Sequence, residues 1–277
     1  MSETFPICTL LTIIVTVVMS LRGFKDEAFT EKLIFDPHPV LVFKEYHRLL
    51  TSGLLHLDGM HMFGNMLTLF MFGQSIEAVY GPAVFLFIYL GSILGGSALS
   101  LWLHRHHEYR ALGASGGACG ILFAWILFFP GGGVSMFFIP VSIPGWIYAV
   151  GYLAYSFVAM KRGWGNVGHD AHVGGAMIGL SLAAILNPRA VAANPWLFTG
   201  MIVLGGLMFL YLWKNPLMLP LKYLLPGTDA TPETPERSHG SRPSEAEVDA
   251  VLDKVSKRGL QSLNKKEREI LQSASKK

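Results

Sequence analysis

Seven blocks of apolar residues, at about 6–21, 60–80, 83–103, 115–129, 144–160, 171–186 and 196–213, constrain this chain more than any other feature. A helix rises about 1.5 Å per residue, so about 20 apolar residues cross a hydrocarbon core of about 30 Å. The blocks therefore predict seven transmembrane helices in an all-α, polytopic membrane bundle. Composition agrees, since 51% of the 277 residues are hydrophobic and only 15% are charged. The first block is expected to persist as an uncleaved span, because no Lys or Arg precedes it and no Ala-x-Ala-like site follows it.

The connections differ in character. Residues 22–57 mix charges with apolar pairs and are expected to lie partly in the membrane interface. Residues 104–112 are rich in His and Arg, residues 130–143 read as a turn-forming connector, and residues 161–168 are glycine-rich around Trp164. Beyond Trp213, prolines at 216, 220, 226, 232, 235 and 243 mark a linker. Ser244 and Glu247 then make a capping-box pair ahead of Val248, Val251, Leu252 and Val255, and Asn264 with Glu267 repeats the signal before Ile270 and Leu271. Two helices with so small an apolar stripe are expected to dock on the core or on another protein. Cys8 and Cys119 both fall inside predicted spans, which argues against a structural disulfide. The net charge of +3 owes much to the tail, whose basic residues suit anionic lipid or a protein partner rather than nucleic acid.

Polar residues inside spans are costly unless they pair or act, so they single out candidate chemistry. His61 and Asn65, four residues apart, share a helix face, with His56 just ahead of them. Ser115 opens the fourth span, where the first helical N–H groups lack intrahelical partners and suit a developing oxyanion. Gly116 and Gly120 form a small-xxx-small face, as do Gly175 and Gly179 in the sixth span, so the two helices can approach closely enough for His172 to meet Ser115. Asp170, two residues before His172, falls on a different helical face and leaves a Ser/His dyad rather than a triad. In such a dyad His172 is general base and then general acid, while His61, Asn65 and the backbone N–H groups of Ala114 and Ser115 hold the oxyanion, each donor contributing about 3 to 4 kcal/mol.

With these pieces in this order, the chain resembles the rhomboid intramembrane serine proteases. The matching motifs are His56-(x4)-His61-(x3)-Asn65, Gly113-x-Ser115-Gly116 and Ala171-His172-x-Gly174-Gly175, with Arg48 at the arginine of the family's Trp-Arg loop motif. The resemblance implies a six-helix catalytic core over residues 1–190, an active-site cavity open to one face, transmembrane protein substrates and no cofactor or metal. Residues 191–214 then form an added seventh span, 215–243 the linker and 244–277 a small soluble helical tail. Two positions depart from the family pattern. His47 stands where the loop tryptophan would be, and Cys119 where an aromatic usually stacks on the catalytic histidine. The fifth span, with Trp164 and Gly165, is the expected gate and lid.

Other chemistries fit less well. A metalloprotease would need His-Glu-x-x-His, which His107-Glu108 does not continue, and an aspartyl type would need Gly-x-Gly-Asp. His104, His106 and His107 read as a solvated basic loop rather than a metal site. The alternative from another class is a catalytically inactive rhomboid-like protein that binds transmembrane clients, although Ser115 and His172 are both retained. Similar helical tails accompany some bacterial rhomboids, so the resemblance implies a bacterial plasma (inner) membrane. Lys and Arg collect after the first span (Arg22, Lys25, Lys32, Lys44, Arg48), before Ser115 (Arg105, Arg110), beside Trp164 (Lys161, Arg162) and in the tail, with only Arg189 on the alternate connections. By the positive-inside rule this puts the active-site mouth in the cytoplasm, whereas the resemblance implies the opposite face.

Overall fold

The computed structural model describes residues 5–214, except 107, 136–141, 163 and 165–167, together with Val251 and Lys254. Helix α1 (Ile7–Gly23) starts against a buried acid: the Glu77 carboxylate accepts the backbone N–H groups of Cys8 (2.8 Å) and Thr9 (2.7 Å) and the Thr9 hydroxyl (2.7 Å). An anion there satisfies orphan donors and complements the helix dipole, which explains a carboxylate inside an apolar bundle. Residues 24–57 fold into short helices α2 (Glu27–Leu33), α3 (Pro37–Val42) and α4 (Arg48–Thr51), the first two capped by Asp26 and Asp36.

Asp58 then caps α5 (Gly59–Thr68), which continues through a π turn (Leu69–Gly73) into α6 (Gln74–Tyr80) as a single rod. Gly81, at φ +89°, makes the tight turn into α7 (Pro82–His104). The remaining elements are α8 (Ser115–Phe128), a short antiparallel pair of β1 (Gly133–Ser135) and β2 (Ser142–Pro144), α9 (Gly145–Arg162), α10 (His169–Leu186), α11 (Pro188–Ala193) and α12 (Pro195–Lys214). Helices α7, α10 and α12 are long and apolar enough to cross a membrane, while α1 and α8 are apolar but shorter. The protein is an all-α membrane helix bundle, and helical segments occupy all seven apolar blocks. The connector at 130–143 departs from a plain turn, because Gly133 to Ser135 pair with Ser142 to Pro144.

Helix α8 is the axis of the bundle: every residue in it except Ser115 and Trp125 is buried. At 14 residues it is about 21 Å long, shorter than a hydrocarbon core of about 30 Å. Its start can therefore sit below the membrane surface. Helix α10 crosses α8 in backbone contact. A Cβ on Gly175 would stand 2.1 Å from the Gly116 carbonyl oxygen, and one on Gly179 would stand 2.4 Å from Gly120 Cα. Any side chain larger than hydrogen at either position would push the two helices apart.

The seventh span packs against α7, α9 and α10. Trp102 stacks with Phe209 (5.6 Å) and Trp213 (5.7 Å), Lys161 lies 4.2 Å above the Tyr211 ring and bonds to its hydroxyl, and Gly205 abuts Met177. The chain divides into two compact units, Met1–Pro226 and Gly227–Lys277. Of the second, Val251 and Lys254 are described as helical, with Val251 buried. The expected linker and the rest of the two tail helices lie outside the described residues.

Candidate active site

The backbone leading into α8 is clasped from residues 34–55. Phe35 and Ala111 exchange two backbone hydrogen bonds (3.0 and 3.1 Å), and the Gly113 N–H donates to the Ser52 carbonyl (3.0 Å). Arg48, buried at the base of this clasp, donates to the carbonyls of Glu31 (2.7 Å) and Ile34 (2.9 Å) and to the Glu45 carboxylate (2.6 Å). The fork of a guanidinium suits three acceptors at once. His47 is exposed and bonds the Lys32 carbonyl (3.2 Å), while the buried contacts of the loop are made by the arginine. Gly113 has φ +142°, a backbone conformation that strains any other residue, and a Cβ there would lie 2.8 Å from His61 Cε1, so the imidazole would have to shift. The same point lies 3.7 Å from Ser115 Oγ. His61, Gly113 and Ser115 thus converge.

His56 ties this corner together. Its Nε2 accepts from the Ala114 N–H (3.2 Å) and the Asn65 amide (3.1 Å), and its Nδ1 meets the Ser20 hydroxyl (3.0 Å). Two N–H donors on Nε2 require the neutral ring with its proton on Nδ1. Burial pushes its pKa down to about 4; the nearby His61 acts in the same direction and Asp58 opposes. Two expected oxyanion donors are therefore already engaged. The Ala114 N–H points to His56, and the Asn65 amide bonds both His56 and the His61 carbonyl (3.1 Å). This was not legible from spacing, because it depends on a loop folding back over α5.

His172 lies on the first turn of α10, and about one turn further on Gly175 meets Gly116, the residue after Ser115. Its Nδ1 is 2.9 Å from the Tyr152 hydroxyl on α9, which is in turn 3.0 Å from Cys119 Sγ. Among the described residues Ser115 Oγ forms no hydrogen bond to His172; such contacts are often long in the free enzyme and tighten around substrate. Ser115 and His61 are half-buried. Asp170, buried on the same turn, accepts from Tyr109 (3.1 Å) and contacts His104 Nε2 (3.2 Å). His104 consequently corrects the solvated-loop expectation. It is the last residue of α7, buried and stacked on Tyr109 at 3.6 Å, while His107 lies outside the described residues.

Trp164 closes the end of α9. Its backbone N–H donates to the Ala159 carbonyl (3.0 Å), Arg162 lies 4.9 Å above its ring, and the side chain is exposed. Gly165, its expected partner as a lid, is outside the described residues. Among the described residues no group of three His, Cys, Asp or Glu side chains is arranged to hold a metal ion. The arrangement can activate a serine hydroxyl beside a histidine in a site walled by apolar helices.

A family model described as the rhomboid domain matches residues 44–189, and a second, a family of unknown function (DUF6576), matches residues 242–277. The chain is 31% identical over 133 residues to Rhomboid protein 1, mitochondrial, of Saccharomyces cerevisiae, covering 47% of this chain and 38% of that protein. It is 32% identical over 152 residues to RHOMBOID-like protein 12, mitochondrial, of Arabidopsis thaliana, covering 48% and 44%. It is also 30% identical over 169 residues to Rhomboid protease GluP of Bacillus subtilis, covering 60% and 32%. The matched stretches span less than half the length of these relatives. Two of the three are mitochondrial by name, so they do not support the bacterial plasma membrane expected from the sequence.

Proposed function

The chain belongs to the rhomboid family, and on that premise we propose that it is an intramembrane serine endopeptidase that cleaves transmembrane or membrane-anchored proteins through Ser115 and His172. One observation carries this reading. The glycine contact between α8 and α10 brings the first turns of both helices together, with His61 and Gly113 facing the same point as Ser115. In the proposed cycle His172 Nε2 takes the Ser115 proton as Oγ adds to the scissile carbonyl. The Ser115 N–H and His61 stabilise the resulting oxyanion. Asn65 contributes as its amide shifts from its resting partners, and Ala114 is held in place by His56 rather than donating freely. Collapse of the tetrahedral species expels the amine, which takes the proton back from His172. Water then repeats the sequence on the acyl enzyme. A substrate helix must unwind locally to present its backbone, and α9 with Trp164 is the proposed gate.

The test uses purified protein and a transmembrane reporter. Ser115→Ala and His172→Ala should each abolish cleavage while the protein stays folded, and a fluorophosphonate should label Ser115 only in proteins that retain His172. His61→Ala and Asn65→Ala should lower turnover by about 100- to 1000-fold, the scale of one lost oxyanion donor. Retained cleavage in the Ser115 variant would remove that residue from the mechanism, and a wild type that neither cleaves nor is labelled would leave the client-binding alternative.

A further inference from the structure

Position 119 lies one helical turn beyond Ser115 and carries a thiol, so α8 has no ring to set against His172. The structure fills that place from another helix. The Tyr152 ring of α9 lies 6.3 Å from the His172 ring at 24°, with its hydroxyl 2.9 Å from Nδ1 and 3.0 Å from Cys119 Sγ. Tyr152 is itself supported, stacked on Tyr148 (5.8 Å, 13°) and edge-on to Phe123 (6.1 Å). The geometry points to Tyr152 as the positioning residue for His172: the tyrosine O–H donates to the Cys119 sulfur, its lone pair accepts the Nδ1–H of His172, and Nε2 is thereby fixed as the unprotonated nitrogen that faces Ser115.

A lone histidine can carry its proton on either nitrogen, and only the Nδ1–H form can act as a base through Nε2. An acceptor at Nδ1 selects that form in the resting state, and it bonds more strongly to the imidazolium that develops when Ser115 gives up its proton. Asp170, bound to His104 and Tyr109, does not supply this contact. The small side chain at 119 leaves room for the α9 hydroxyl to reach between the two helices. The orientation of the base is thus set by α9, a helix that carries neither member of the dyad.

This inference rests on the protease reading, and the experiment separates the two. Tyr152→Phe keeps the ring and removes the acceptor. Turnover of a transmembrane reporter should fall about 10- to 100-fold, the scale of one hydrogen bond to a group charged in the transition state, and fluorophosphonate labelling should slow in parallel. KM should stay within about twofold, because the lost contact strengthens only as charge develops. Independently, 15N NMR of histidine-labelled wild-type protein, with His172 assigned by the signal lost in His172→Gln, should show the Nδ1-protonated tautomer. Wild-type turnover in Tyr152→Phe, or an Nε2-protonated His172, would overturn the assignment of Tyr152. A wild type that neither cleaves nor is labelled would overturn the protease reading instead.

Discussion

Single side chains in this protein matter mostly through the hydrogen bonds they can make only in one protonation state. His56 is the clearest case, since its Nε2 must accept from both Ala114 and Asn65. Protonation would turn that acceptor into a donor facing two donors. Burial holds its folded pKa at about 4, against an ordinary value of 6.5. Between those values the unfolded chain binds a proton that the folded chain refuses, so the contribution is full above about pH 6.5 and is lost as pH falls towards 4. The interval corresponds to about 3 kcal/mol. The melting temperature of the wild type should therefore drop between pH 7 and pH 4 by more than that of His56→Gln, other titrating groups being common to both. Equal drops would show that His56 is not a neutral hub. Motif spacing marked His61, Ser115 and His172 as candidates, His61 through its helical spacing to Asn65, and Ser115 and His172 through the glycine stripes beside them and the family motifs. It could not expose the engagement of Ala114 and Asn65 or the part of Tyr152, which depend on a returning loop and on a third helix.

Elements in the bundle are placed by what they leave out. The contact of α8 with α10 requires hydrogen at positions 175 and 179, where a Cβ would meet backbone atoms of Gly116 and Gly120. Backbone cannot rotate out of the way as a side chain can, so Gly175→Ala must separate the helices at the level of the dyad. A loss of about 1 to 3 kcal/mol is expected from overpacking, with a larger fractional loss of turnover because Ser115 and His172 move apart. Gly206→Ala on α12, where nothing lies within 4 Å of the added carbon, is the matched control and should leave both stability and turnover near wild type. Comparable losses in the two variants would show that close approach is not what requires glycine at position 175, since helix propensity favours alanine over glycine. The sequence showed these stripes plainly, as it did the seven spans, because hydrophobic length and small-residue spacing are local properties. The pairing of β1 with β2 and the three short helices before α5 were less legible. They are fixed by contacts at the ends of the bundle, where apolar periodicity lapses.

Across the whole molecule, the chemistry and the tail belong to different units. Every proposed site residue lies in Met1–Pro226, and the rhomboid match ends at residue 189, while the second family match starts at 242 in the other unit. The groups proposed to orient the dyad come from the loop before α5 and from α5, α8, α9 and α10, all within the matched segment. Removing everything after Pro226 should therefore leave kcat/KM within about twofold of the full chain, a difference too small to represent a lost transition-state contact. A longer deletion should behave differently. Cutting before Pro195 removes α12 and strips Trp102 of its stacking partners, Lys161 of the Tyr211 hydroxyl and Met177 of its neighbour at Gly205. Because Lys161 is on the same helix as Tyr152, that loss should loosen α9 and with it the seat of His172. The expected result is a protein that still inserts but melts earlier and turns over more slowly. Cleavage assays and thermal melts on both truncations check this. If the shorter deletion lost activity while melting normally, the tail would have to act on the catalytic unit directly.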